Sequence, residues 1–333
     1  AEVIETLPLD ADPAFTIAVP DLWFDVNMNG TRDEGEEFDA LALQTLLSPW
    51  EAAGLRQDLE ANPDAPSPLK ATIRFDAADA DWLLAYTHLV RGVAEIVLAF
   101  DPAPEIGRTL DLRAALASQH HGPSGDATSG ELRQAIEDSV RQSNPDWTDE
   151  QVKAEVDRMA EALSSERQRN QFVDWADFAA IAINTLRHRP DAAGISRAHA
   201  HLLEMVRFNR SFWTNVARET DNEAEWIPNA HQTAALGFVL PEGTSETWLA
   251  VLGDGEKILK GDLLIPYWRF APGHGVNLAR WIHAPEPVDL VDWIQGTAAL
   301  PFAEQGPVVT GENWQRFARL VEGRAPLFAI LLN

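Results

Sequence analysis

A mainly α fold is what this sequence predicts, and three observations predict it. From Ala77 onward, apolar residues recur at three- and four-residue spacing through one segment after another. Start and stop residues bracket several of those segments: Thr148 with Gln151 three later makes a capping box, and Gly194 and Gly261 stand where periodic runs end. The strand-like runs, 14–19 and 71–75, both fall in a mixed first region. The expected organisation is therefore a mixed N-terminal region, 1–75, followed by a helical domain, 76–333, with a possible internal boundary near 120–130.

Taken in order, 38–47 reads as a short helix between the two strand-like runs. Segment 80–100 reads as a helix, and 82–100 within it is apolar on nearly every face but carries His88, Arg91 and Glu95. A charge at the centre of a membrane-spanning helix costs about 2.5–3.5 kcal/mol. A buried core helix is the better reading, with Arg91 and Glu95 spaced to pair on one face. Helices follow at 110–118, 130–142, 149–167, 175–187, 197–218, 246–259, 288–296 and 312–322. Pro145 blocks continuation into 149–167 from upstream. His120–Gly130 is rich in Gly, Ser and Asp and reads as a loop, and 131–166 as an exposed helical hairpin. Gly253-Asp254-Gly255 reads as a turn. From Trp226 on, nine prolines punctuate short elements and six of the twelve tryptophans occur. That irregular but apolar third has to pack on the helical core.

Composition excludes several function classes. Acids outnumber bases 52 to 26, a formal charge of −26, which repels phosphate backbones and anionic membrane surfaces. With no cysteine there are no disulfides, thiol nucleophiles, zinc–thiolate sites or iron–sulfur clusters. The chain opens Ala1-Glu2-Val3 without methionine, as expected after signal-peptide removal, so a periplasmic or extracellular location is the expectation.

One motif carries strong chemistry. Residues 25–36 read Asp-Val-Asn-Met-Asn-Gly-Thr-Arg-Asp-Glu-Gly-Glu. Against a calcium-loop template, Asp25, Asn27 and Asn29 stand at positions 1, 3 and 5. Gly30 stands at 6, Thr31 at 7, Asp33 at 9 and Glu36 at 12. Calcium takes six to eight hard oxygens, and alternate residues of a looping backbone supply them. A glycine permits the sharp turn that returns the last carboxylate to the ion. Thr31 would give its main-chain carbonyl, Asp33 a direct or water-mediated contact, and Glu36 both carboxylate oxygens. Asparagine at two positions lowers ligand charge, so a weak site is expected, in or near the extracellular range of about 10⁻⁴–10⁻³ M.

The loop resembles EF-hand and dockerin calcium loops. The longer string Leu22-Trp23-Phe24-Asp25-Val26-Asn27-Met28-Asn29-Gly30, followed by Asp33, Gly35 and Glu36, is also similar to the calcium loops of B-type repeats in bacterial surface adhesins. The resemblance covers about a dozen residues and implies one bound Ca²⁺. Arg32 replaces the hydrophobic residue usual at loop position 8 of paired EF-hands, and Pro20 shortens any incoming helix.

Weaker constellations stand beside it. His199 and His201 are two apart and point to different faces of a helix, and His120–His121 lacks carboxylate partners at metal-ligand spacing. His201, Glu204, Arg207 and Ser211 form a polar stripe, readable as a base with an anion clamp or as a salt-bridged helix face. Asp174 and Asp177 flank Trp175, Asp292 of the Asp289/Asp292 pair precedes Trp293, and Glu225 precedes Trp226. Carboxylate pairs with aromatic platforms suit a carbohydrate-active hydrolase or lyase, which is the alternative function. The primary expectation is an exported calcium-binding protein in a binding or scaffold role, with a protein or glycan ligand. The apolar 327–332 run is the candidate surface for an assembly subunit.

Overall fold

The structure is a computed structural model that describes residues 15–23, 25, 29–33, 36, 71–117, 134, 137, 138, 140–145, 147–222, 224–235, 240–321, 329 and 332. Asn27, segment 38–47, loop 120–130, most of 130–142 and most of the 327–332 run lie outside them. The fold is mainly α, with short strands confined to two small sheets among the described residues. The chain forms two compact units. The first comprises 1–99, 191–285 and 299–333, and the second 100–190 and 286–298.

In the first unit, β1 (Phe15–Ala18) pairs antiparallel with β2 (Thr72–Phe75), Phe15 opposite Phe75 and Ala18 opposite Thr72. A 3₁₀ turn, Val19–Asp21, leaves β1 with Pro20 fixing its φ, and Val19 is buried. Strand β2 runs into α1 (Ala77–Phe100), whose start is set by Asp76 and Asp79. The Asp76 carboxylate accepts from the Ala78 N–H at 2.8 Å, and the Asp79 carboxylate accepts from the Asp76 N–H at 3.2 Å. This is a reciprocal cap that satisfies amides the helix cannot.

Helix α1 buries Leu84, Ala85 and Ala99, while Val90, Val93, Val97 and Leu98 on its other flank are exposed. It is half-buried where the sequence suggested a central core helix. Glu95 pairs with Arg197 at 2.9 Å, not with Arg91. Arg197 belongs to α4 (Ala192–Val216), in the same unit.

The main core gathers Phe212, Trp213 and Val216 of α4 with Trp248 and Leu252 of α5 (Thr244–Lys260). Phe317 of α8 (Glu312–Leu320), Val321 and Leu332 complete it. Asn209 sits in that core fully buried. It accepts from the Trp248 indole N–H at 3.1 Å and donates to the Leu332 carbonyl at 2.7 Å. A three-stranded sheet, β3 (Ile265–Pro266), β4 (His274–Val276) and β5 (Ala303–Gln305), packs nearby with α6 (Leu278–His283). Trp248, Leu252, Phe317, Val321 and Leu332, all from the Pro/Trp-rich C-terminal third, thus share a core with α4.

The second unit holds α2 (Ala103–Ala117), α3 (Asp149–Leu186) and α7 (Leu290–Gln295). The expected capping box is present: Thr148 Oγ1 accepts from Gln151 N and Gln151 Oε1 accepts from Thr148 N. The segments 149–167 and 175–187 are one continuous helix, because no glycine or proline interrupts 149–186. The second arm expected within 131–166 therefore runs on to Leu186. Val140, Val152 and Val156 form a small core against the start of α3.

Two glycine readings also change. Gly194 does not end a helix; it lies in the first turn of α4, where a Cβ would stand 3.0 Å from Ala99 Cβ. Gly253-Asp254-Gly255 is inside α5, with Asp254 accepting from Asn313 Nδ2 at 2.8 Å. Gly261 does stop its helix, in a left-handed conformation with φ 82° and its N–H on Ile258 and Lys257 carbonyls.

Candidate metal sites

The 25–36 loop is wound by its own predicted ligands. Asp25 Oδ1 accepts from the Asn29 N–H at 2.9 Å and Oδ2 from the Gly30 N–H at 2.7 Å. Gly30 takes φ 76°, the left-handed region where a Cβ is penalised, and so reverses the chain there. Asn29 Oδ1 accepts from both the N–H and Oγ1 of Thr31, at 2.7 and 2.6 Å, and Asn29 Nδ2 donates to Asp33 Oδ2 at 2.6 Å. Glu36 Oε2 accepts from the Asp33 N–H at 3.0 Å, and Glu36 is 5% exposed. Asp25, Asn29, Thr31, Asp33 and Glu36 are therefore linked into one hydrogen-bonded turn; Asn27 lies outside the described residues. Arg32, at loop position 8, is exposed.

A second group of carboxylates was not read from the sequence. Asp76, Glu219 and Glu225 each bring an oxygen within 4.8 Å of the others and could hold a metal ion. Asp76 is placed by its capping role at the start of α1. Glu225 is placed by strand pairing: it bridges in parallel to Arg74 on one side and to Ala234 on the other. The Arg74 N–H bonds to the Ala224 carbonyl at 3.0 Å, and the Ala235 N–H to the Glu225 carbonyl at 2.8 Å. Ala224 adopts φ 63° to make this entry. Glu219 follows the end of α4 and accepts from Gln232 Nε2 at 3.2 Å.

Electrostatics mark this cluster. Burial, with the Asp76 carboxylate beside it, pushes the Asp79 carboxyl up to about 8. Burial and Asp76 likewise push Glu219 up to about 7. Arg74 offsets part of the charge, 2.9 Å from Asp221 and 3.9 Å from Asp76. Hard oxygen donors at this separation suit a divalent cation better than a soft metal. Glu219 also lines a cavity of about 220 Å³ with Trp213, Val216, Pro228, Leu240 and Thr244.

Several of the remaining sequence candidates have structural partners, while His120 and His121 lie outside the described residues. In the α4 stripe, Glu204 pairs with Arg207 at 2.6 Å, and the Arg207 guanidinium covers Phe208 at 3.9 Å. Ser211 donates to Asp81 at 2.6 Å, and His201 meets His88. His199 bonds to the Leu259 carbonyl at 3.0 Å. Arg113 grips Asp174 and Asp177, each at 2.6 Å. Asp289 caps α7 through the Val291 N–H at 2.8 Å and pairs with Arg187 at 2.9 Å. These contacts place Asp174 and Asp177 in salt bridges with Arg113, and Asp289 in a helix cap and a salt bridge with Arg187.

No protein-family model, no curated protein and no solved structure matches the chain.

Proposed function

We propose that the chain is an exported calcium-binding protein, acting in the periplasm or outside the cell in a binding or scaffold role. Ca²⁺ is taken by the 25–36 loop. The observation that carries this reading is the Asp25 carboxylate gathering the Asn29 and Gly30 amides, which draws the predicted donors into one turn. A loop already closed by its own hydrogen bonds loses less conformational entropy when an ion enters. Asp25, Asn27, Asn29 and Asp33 supply side-chain oxygens, Thr31 its carbonyl and Glu36 a carboxylate. The ion anchors the loop to the turn that leaves β1. The Asp76–Glu219–Glu225 group gives the same unit a second set of hard donors, which supports a divalent-cation reading.

Calorimetric calcium titration tests it on the wild type, Asp25→Ala, Glu36→Gln and Asn27→Asp. Asp25→Ala and Glu36→Gln are expected to weaken binding at least tenfold, and Asn27→Asp to tighten it by adding charge to the ion's shell. Glu36→Gln binding calcium as well as the wild type would overturn the assignment to this loop.

A further inference from the structure

Polar contacts between α1 and α4 form a ladder whose α1 members are seven residues apart. Asp81 accepts from Ser211 Oγ at 2.6 Å and Asn215 Nδ2 at 3.1 Å. Glu95 pairs with Arg197. Between these rungs His88 meets His201, Nδ1 to Nδ1 at 2.9 Å, with ring centres 5.0 Å apart. The outer rungs join complementary groups, whereas the middle one joins two groups of the same kind.

The distances identify the contact. Two imidazole nitrogens on one tetrahedral zinc ion, each at about 2.0–2.1 Å, would stand about 3.4 Å apart. At 2.9 Å, with both nitrogens near the line between ring centres, the geometry is that of a direct N–H···N bond. One ring donates and the other accepts. A first proton taken up by the pair leaves the bond intact, imidazolium to imidazole. A second consumes the last lone pair between the rings and sets one N–H against another.

We propose that the His88–His201 contact is an acid-released latch between α1 and α4. Its surroundings do not absorb a second charge. Arg91 on α1 and Arg207 on α4 add positive potential at His88. Glu204, the carboxylate of α4 that acts on His88, is held by Arg207, and Glu95, which senses His201, is held by Arg197. Phe208 stacks on the His88 ring at 5.5 Å, and Leu84, Ala85 and Phe208 form a small apolar core alongside. Burial and the facing ring hold His88 below the ordinary histidine value. The stability this pair contributes is present above the unfolded histidine value, near 6.5, and is lost as pH falls through the folded one. Release exposes the apolar core beside Phe208.

Amide hydrogen exchange at pH 7.5 and pH 5.0, corrected for intrinsic rates, tests this on the wild type and His201→Gln. Glutamine keeps a hydrogen-bond partner for His88 without a second titrating ring. In the wild type, peptides spanning 82–96 and 198–212 should lose about tenfold more protection on acidification than the rest of the first unit. His201→Gln should abolish that excess. Parallel losses in both proteins, or none in either, would overturn the proposal. Should His201→Gln fail to fold, the wild-type histidine ¹³Cε1 resonances decide. Two coupled steps shared by both rings support the latch, and independent single steps near 6.5 refute it.

Discussion

Asp79 illustrates how much one carboxyl can do at the start of a helix. It satisfies the Asp76 amide as the reciprocal member of a cap, yet it is 5% exposed beside other acids. A position near a helix N-terminus favours its charge, and burial opposes it more strongly, which is why its carboxyl rises from 3.8 to about 8. Between those values the folded chain holds a proton that the unfolded chain has released. The stability it contributes is therefore full below about pH 4 and is lost as pH rises through about 8. Urea midpoints of the wild type are expected to fall from pH 5 to pH 8. Asp79→Asn keeps an acceptor for the Asp76 amide and should flatten that fall. A cation seated among Asp76, Glu219 and Glu225 should flatten it as well, by favouring the ionised forms. Equal slopes in wild type and Asp79→Asn would place the pH dependence elsewhere.

Helix boundaries show what sequence spacing can and cannot convey. Gly261 was legible as a stop because its task is local: only glycine takes φ 82° cheaply, and the turn it makes caps α5. A Cβ there would also meet Asn277 Oδ1 at 2.8 Å and Ala279 Cβ at 3.0 Å. Gly261→Ala is thus expected to cost about 2–4 kcal/mol, combining left-handed strain with overpacking. Equilibrium urea unfolding should show a lower midpoint at unchanged slope. Gly194 was misread because its task is not local. It admits Ala99 of another helix, a contact that spacing along α4 cannot reveal. The same division separates the two candidate metal sites. The donors of the 25–36 loop are contiguous and could be named residue by residue. Asp76, Glu219 and Glu225 meet only once residue 225 pairs beside Arg74, and the one local hint was Glu225 standing next to Trp226.

At the scale of the molecule, the first unit is assembled from three stretches of chain and the second from two. The main core depends on the last of those stretches: Phe317 is fully buried against Trp248 at a ring-centre distance of 5.0 Å, and Asn209 relies on the Leu332 carbonyl. Truncation after residue 298 removes these partners, takes the Leu332 carbonyl from Asn209 and opens a large cavity beside Trp248. The truncated chain is expected to lose the near-ultraviolet circular dichroism of its core tryptophans and its cooperative urea transition. Retention of both would show that α4 and α5 form a self-sufficient core.

The position of Phe317 and Leu332 also bears on synthesis. A chain emerging from the ribosome carries α1, α4 and α5 well before the residues that close their shared core. That core cannot consolidate until Phe317 and Leu332 have themselves been synthesised.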